Sequence, residues 1–151
     1  MRRMRKLGRR VIVLLALGAL GATVSFAGEF KPYPNAQLDA KASQDATAAA
    51  AGAGLSQRST IYTSTDSFEK VVAFYKPLAT EIALPASLAK GVQLPDGRST
   101  RVAWLAVDGA KSIAESKRWL AIQFPYVGSV GAGGKFQDIR DVTSITLTES
   151  K

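Results

Sequence analysis

The chain of 151 residues contains no histidine and no cysteine, and its formal net charge is +8. Those two absences exclude Ser-His-Asp and Cys-His catalysis, nearly all zinc and copper sites, and any disulfide. Six of the 20 basic residues and none of the 12 acidic residues lie in positions 1–27, so the other 124 residues carry 14 basic against 12 acidic side chains, a net charge of +2. Without histidine and cysteine we expect no metal ion and no cofactor. We also expect no nucleic-acid partner, because no basic stripe is left to contact phosphates.

The first 27 residues have the three zones of a secretory signal peptide. A basic head precedes an apolar run from Val11 to Val24, and Ser25-Phe26-Ala27 places small residues where a signal peptidase reads them. The apolar run has 14 residues, fewer than the roughly 20 that a membrane-spanning helix needs. We predict cleavage between Ala27 and Gly28, which gives a periplasmic or secreted protein that meets the membrane only through this segment. The alternative is an uncleaved inner-membrane anchor that leaves the chain facing the periplasm.

Residues 28–57 are predicted to be an extended Pro/Ala-rich arm or linker. Pro32 and Pro34 fix the backbone of the opening and bias the residues before them away from helix. The Ala-rich run 46–54 has high helix propensity, but it offers no apolar face larger than methyl groups and ends in two glycines. We expect a linker or a weakly helical arm here, followed by a small domain over residues 58–151.

The domain is predicted to open with a strand at residues 59–63 and then its main helix. Asp66 can cap that helix, and Glu69 three residues later completes a capping box. Apolar residues recur at helical spacing from there, and Pro77 predicts a kink or stop. A short second turn of helix is expected to run to Ala83.

Three more strands are predicted, at 100–107, 117–124 and 139–148, with a turn at Pro95-Asp96-Gly97 and a glycine-rich loop at 128–135. Short connections between strands favour antiparallel pairing. The expected fold class is therefore α+β: an antiparallel sheet of about four strands, in the order β-α-β-β-β, packed on one face by the one main helix.

The strand and helix at the start of the domain carry a resemblance to other proteins. Tyr33-Pro34-Asn35-Ala36, then Tyr62-Thr63-Ser64-Thr65-Asp66-Ser67 and Val71-Val72-Ala73-Phe74-Tyr75, resemble a loose group of small exported bacterial proteins of uncharacterised function. Those proteins have a Tyr-Pro-Gly-Ala-like opening before a Tyr-x-Thr-x-Asp-Ser…Val-x-x-Phe-Tyr strand–helix unit, and Asn35 stands where they usually have glycine. The match covers about a third of the chain. The resemblance implies a strand–helix–strand unit and no known activity.

No stretch of the sequence carries a complete catalytic motif. Ser67–Lys70 and Ser87–Lys90 match Ser-x-x-Lys, but the other motifs of penicillin-recognising enzymes are absent. A phosphate-binding loop needs a glycine six positions before its lysine and a Ser or Thr directly after it. Around Lys135 those positions hold Ser129 and Phe136. Asp96 and Asp108 are interpreted as turn residues that bond to the local backbone.

The aromatic residues are the remaining candidates for a binding surface. Trp104 and Trp119 are assigned to the core, and Tyr33 and Tyr126 are named as candidate surface residues. The sequence thus predicts an exported, non-enzymatic domain that binds a protein or another envelope component. The alternative is a binder of a small apolar or aromatic ligand in a pocket between sheet and helix.

Overall fold

The structure is a computed structural model that describes residues 29–151. The predicted signal segment and its cleavage site at Ala27–Gly28 lie outside the described residues. Within residues 29–151 no helix has both the length and the apolar character to cross a bilayer. The elements in chain order are β1 Gln37–Leu38, α1 Ala40–Gly52, β2 Gln57–Ser64, α2 Phe68–Tyr75, β3 Thr80–Ile82, α3 Ala86–Ala89, β4 Arg101–Ala106, β5 Arg118–Phe124, β6 Tyr126–Val130, β7 Phe136–Arg140 and β8 Thr143–Ser150.

The α+β class is confirmed, but the expected number of strands is wrong. One antiparallel sheet has six strands in the order β1-β2-β8-β5-β4-β3, and β6 and β7 form a separate two-stranded hairpin. The last predicted strand, 139–148, is split between β7 and β8 by a tight turn in which the Val142 N–H donates to the Arg140 carbonyl at 2.8 Å. The expected helical turn to Ala83 is the edge strand β3, because cross-strand pairing with β4 overrides local propensity.

The first face of the sheet carries the main core beneath α2. Leu120 lies opposite Leu147 across β5 and β8, and Val71 and Tyr75 of α2 pack on the same cluster. Because side chains alternate along a strand, the neighbours of these buried residues point to the second face. Trp104 and Trp119 lie there half-buried, whereas the sequence assigned both to the core.

Residues 40–52 form the full helix α1, where an extended or weakly helical arm was expected. Asp39 caps it by accepting the Ala42 N–H at 2.9 Å. The hydroxyls of Ser43 and Thr47 accept backbone N–H groups of β2 at 2.8 Å and 3.0 Å, at positions that β1 does not cover. The methyl-sized side chains allow this close approach, so the Ala-rich run protects a strand edge.

The main helix α2 is capped by Ser67, one residue after the predicted cap. The Ser67 hydroxyl accepts the Lys70 N–H at 3.4 Å. The Asp66 carboxylate instead accepts hydrogen bonds from the side chains of Tyr33 and Lys70. The helix ends at Tyr75 with Lys76 as its C-cap, directly before Pro77, so the predicted stop is confirmed. Gly91, which has a φ of +69°, follows the C-cap of α3.

The opening Tyr33–Ala36 is a tight turn that requires a left-handed residue at its third position. The Ala36 N–H donates to the Tyr33 carbonyl at 3.0 Å, and Asn35 has a φ of +61°. We expect Asn35→Ala to lower the free energy of unfolding by about 1 kcal/mol, since this conformation is costly for most residues with a Cβ. Asn35→Gly should leave it unchanged or raise it. Urea unfolding measures both, and equal destabilisation of the two variants would contradict this account.

Candidate functional site

The two tyrosines named as candidate surface residues lie in different parts of the molecule. The Tyr33 ring meets Phe74 edge-on with centroids 5.2 Å apart, and its hydroxyl donates to Asp66 at 2.8 Å. That hydrogen bond, followed by one from Lys70, lowers the pKa of Asp66, and the bond to Asp66 raises the pKa of Tyr33. Tyr33 thus holds the N-terminal segment against the start of α2.

Tyr126 is buried at the base of the β6–β7 hairpin, on the second face. It packs with Ala42 and Ile61, and the Arg140 guanidinium lies 4.2 Å from its ring centre. Arg140 also donates to Asp39 at 2.7 Å. Burial raises the pKa of Tyr126, while the Ala42 N–H and then Arg140 lower that of Asp39. These contacts tie the hairpin to α1.

The remaining sequence motifs do not assemble into a site. Lys70 of the first Ser-x-x-Lys match binds Asp66 at 3.2 Å, and the second match lies exposed on α3. The predicted glycine-rich loop 128–135 is too long, because residues 128–130 belong to β6 and only 131–135 form the tip of the hairpin. The turn interpretation of Asp108 is confirmed, since its carboxylate accepts the Ala110 N–H at 3.3 Å and the Lys117 N–H at 2.6 Å. Burial alone would raise the pKa of Asp108, but these backbone bonds and one from Ser116 lower it.

An opening with an uncharged lining is a cleft of about 390 Å³ on the second face, which we call the Trp104 cleft. The sheet contributes Trp104 and its cross-strand partner Ala121, and α3 with the following loop contributes one wall. The hairpin contributes the other wall. None of the described residues that line the cleft is charged, and the large apolar ones are Leu88, Val92, Val102, Trp104, Val127, Val130 and Phe136.

Most of the large hydrophobic side chains that are exposed in the described residues line the cleft. Of the five large hydrophobic residues exposed in residues 29–151, three line it: Leu88 at 41 %, Val92 at 46 % and Val130 at 60 %. Exposed apolar residues clustered in this way mark binding sites more often than scattered ones do. The sequence reading missed them because Val130 lies in the predicted glycine-rich loop, and no strand or main helix was predicted over Leu88 or Val92. Large aliphatic residues inside such segments were the available signal.

The polar side chains of the cleft already have partners inside the protein. The Thr100 hydroxyl accepts the Val92 N–H at 2.8 Å, and the Gln123 amide donates to the Pro125 carbonyl at 3.2 Å. The Ser129 hydroxyl contacts the Gln137 side chain at 3.4 Å. The lining therefore offers mainly dispersion and apolar burial to a ligand.

No protein-family model, curated protein or solved structure matches this chain.

A smaller pocket of about 250 Å³ lies between α2 and the first face of the sheet, where the sequence placed the alternative ligand site. Tyr75, Ala79 and Leu120 line it together with Phe30, and Glu29 is part of its rim. Trp119, expected beneath the helix, is on the opposite face. The volume is below the roughly 300–1,000 Å³ of most ligand sites.

A polar opening of about 680 Å³ beside Tyr126 carries little free binding capacity. Its charged residues pair with one another, in the pairs Lys41–Asp45, Arg140–Asp39 and Arg140–Asp138. Within residues 29–151 no three acidic side chains group as metal ligands. The Trp104 cleft is thus the stronger candidate site.

Proposed function

We propose that this chain is an exported, non-enzymatic binding domain whose Trp104 cleft holds an apolar group of an envelope component. The observation that carries the proposal is the clustering of three exposed large hydrophobic residues around one uncharged cleft. Its volume of about 390 Å³ is within the usual range for ligand sites. The proposal that the protein is exported rests on its N-terminal segment. That segment is either cleaved after Ala27, which releases the protein, or retained as an inner-membrane anchor.

Titration with 1-decanol, an uncharged apolar probe, tests the cleft directly. The protein is expressed with its own N-terminal segment and purified in the form that the cells export, and its mass reports whether it begins at Gly28. We expect the NMR signal of the Trp104 indole N–H to shift and saturate. The Trp119 signal should move much less, because Trp119 does not line the cleft.

Two matched alanine substitutions separate the two openings. Ala121 lines the Trp104 cleft and Ala79 lines the α2 pocket. Ala121→Leu fills the cleft and should weaken decanol binding about tenfold or more, since a loss of about 1.4 kcal/mol of contact is tenfold. Ala79→Leu should leave binding unchanged. The reverse result would assign binding to the α2 pocket, and no saturable shift would overturn the proposed function.

The α2 pocket is the second candidate, as a site for a small apolar or aromatic ligand between sheet and helix. It is supported by the apolar lining of Tyr75, Leu78 and Leu120. Its volume of about 250 Å³ places it below the Trp104 cleft as a candidate site.

A further inference from the structure

We propose that the occupant of the Trp104 cleft is a single-chain anionic amphiphile, that is, a free fatty acid or a molecule of the same chemistry. This inference rests on the proposed function and names the class of ligand. The aliphatic chain would lie along Trp104 between the two walls. The anionic head would lie outside the cleft, beside one lysine from each wall.

The hydrogen bonds of the cleft lining favour an aliphatic chain as its occupant. A peptide entering the cleft would bring backbone N–H and C=O groups that need partners, and leaving such groups unpaired costs free energy. Besides the Trp104 indole N–H, the polar side chains of the lining are Thr100, Gln123 and Ser129, and each of these three already makes a hydrogen bond inside the protein. An aliphatic chain needs no such partner. The lining therefore favours hydrocarbon over an extended peptide.

The charged residues that flank the cleft lining in sequence favour an anionic head group. Lys90 lies between the lining residues Leu88 and Gly91 in sequence, and Lys135 immediately precedes the lining residue Phe136. In the described part of the chain, neither lysine forms an ion pair with a carboxylate. Asp138, the one acidic residue of β6 and β7, forms an ion pair with Arg140 at 3.1 Å. Among residues 29–151, each wall thus has one lysine that lacks a carboxylate partner and adjoins a lining residue in sequence.

The geometry also favours one chain over a bilayer surface. The apolar side chains converge on one concave volume of about 390 Å³. A surface that binds bilayers instead projects its apolar residues outward from one amphipathic face. The cleft is more than twice the roughly 150 Å³ of a cavity that holds a benzene molecule, so it has room for a chain segment.

The test compares decanoate with 1-decanol, which share their chain length and differ in head-group charge. Isothermal titration calorimetry on the exported protein should show decanoate binding about fivefold more tightly, the size expected for one or two exposed charge contacts. The double variant Lys90→Gln/Lys135→Gln should bring decanoate to the affinity of decanol. The control Lys111→Gln/Lys151→Gln removes the same charge from exposed positions outside the cleft and should keep the preference.

The outcomes separate this inference from the proposed function. If decanol and decanoate bind equally, or if both double variants behave alike, the anionic head is refuted while the cleft remains a binding site. If neither molecule binds, both proposals fail. Co-sedimentation with phosphatidylglycerol vesicles in the absence of decanoate binding would assign the cleft to a bilayer. A concentration-dependent dimer that Ala121→Leu abolishes would assign it to a second copy of the chain.

Discussion

Replacing Leu120 by alanine should lower the free energy of unfolding by about 2–5 kcal/mol. Leu120 is fully buried in the centre of β5, opposite Leu105 of β4 and Leu147 of β8, and beneath α2. Truncation removes buried apolar surface and leaves a cavity that the flanking strands cannot close. Urea unfolding followed by far-UV circular dichroism measures the change.

Two other leucines serve as matched controls for this substitution. Leu55 is 50 % exposed outside the core, and Leu88 is 41 % exposed on the wall of the Trp104 cleft. Leu55→Ala and Leu88→Ala should each change stability by about 0.5 kcal/mol or less. Leu88→Ala should in addition weaken decanol binding. A cost at Leu120 no larger than that at Leu55 would show that the core is not centred on β5.

Gly91→Ala should cost on the order of 3 kcal/mol or more, because two separate constraints act on the same residue. Gly91 has a φ of +69°, and a Cβ built there would lie 1.8 Å from the backbone oxygen of Thr100. The neighbouring Val92 carbonyl accepts the Thr100 N–H at 2.9 Å, so the two segments cannot move apart without losing this pairing. Thermal or urea unfolding measures the loss, and decanol affinity should fall because Gly91 lines the cleft.

Gly97→Ala is the matched control for backbone conformation without a clash. Gly97 has a φ of +84°, yet nothing lies within 4 Å of the position that a Cβ would take. The substitution should cost only about 1 kcal/mol, the cost of a left-handed backbone for a residue with a Cβ. Equal losses in the two variants would show that the close contact between Gly91 and Thr100 does not determine the stability of this wall.

Local patterns in the sequence were sufficient where the physical cause is local. Pro77 ends the main helix through its missing N–H, and Asp108 bonds to a backbone N–H two residues on. Alternation in β5 placed Leu120 and Ile122 on one face. Asn35 has a φ of +61°, a conformation that glycine and asparagine adopt more readily than other residues. The link to the group of small exported bacterial proteins stays a prediction.

Long-range pairing decided the features that sequence reasoning missed. The Ala-rich run is a weak helix by its own apolar pattern, but the hydroxyls of Ser43 and Thr47 bond to an open strand edge that only the folded sheet creates. The segment at 80–82 became a strand because β4 offers it a partner. Trp104 and Trp119 lie outside the core because their neighbours Leu105 and Leu120 occupy the face of the sheet beneath α2.

The sequence by itself determined the α+β class, the main helix, the turn residues and the absence of histidine and cysteine chemistry, since these follow from composition and from contacts a few residues apart. Only the tertiary structure decided which face of the sheet stays open. The Trp104 cleft joins residues 88–92, β4, β5 and the hairpin, and no short-range pattern links segments so distant in the chain. Its apolar character arises because the fold brings exposed aliphatic residues of α3, of the loop after it and of β6 to one side of Trp104.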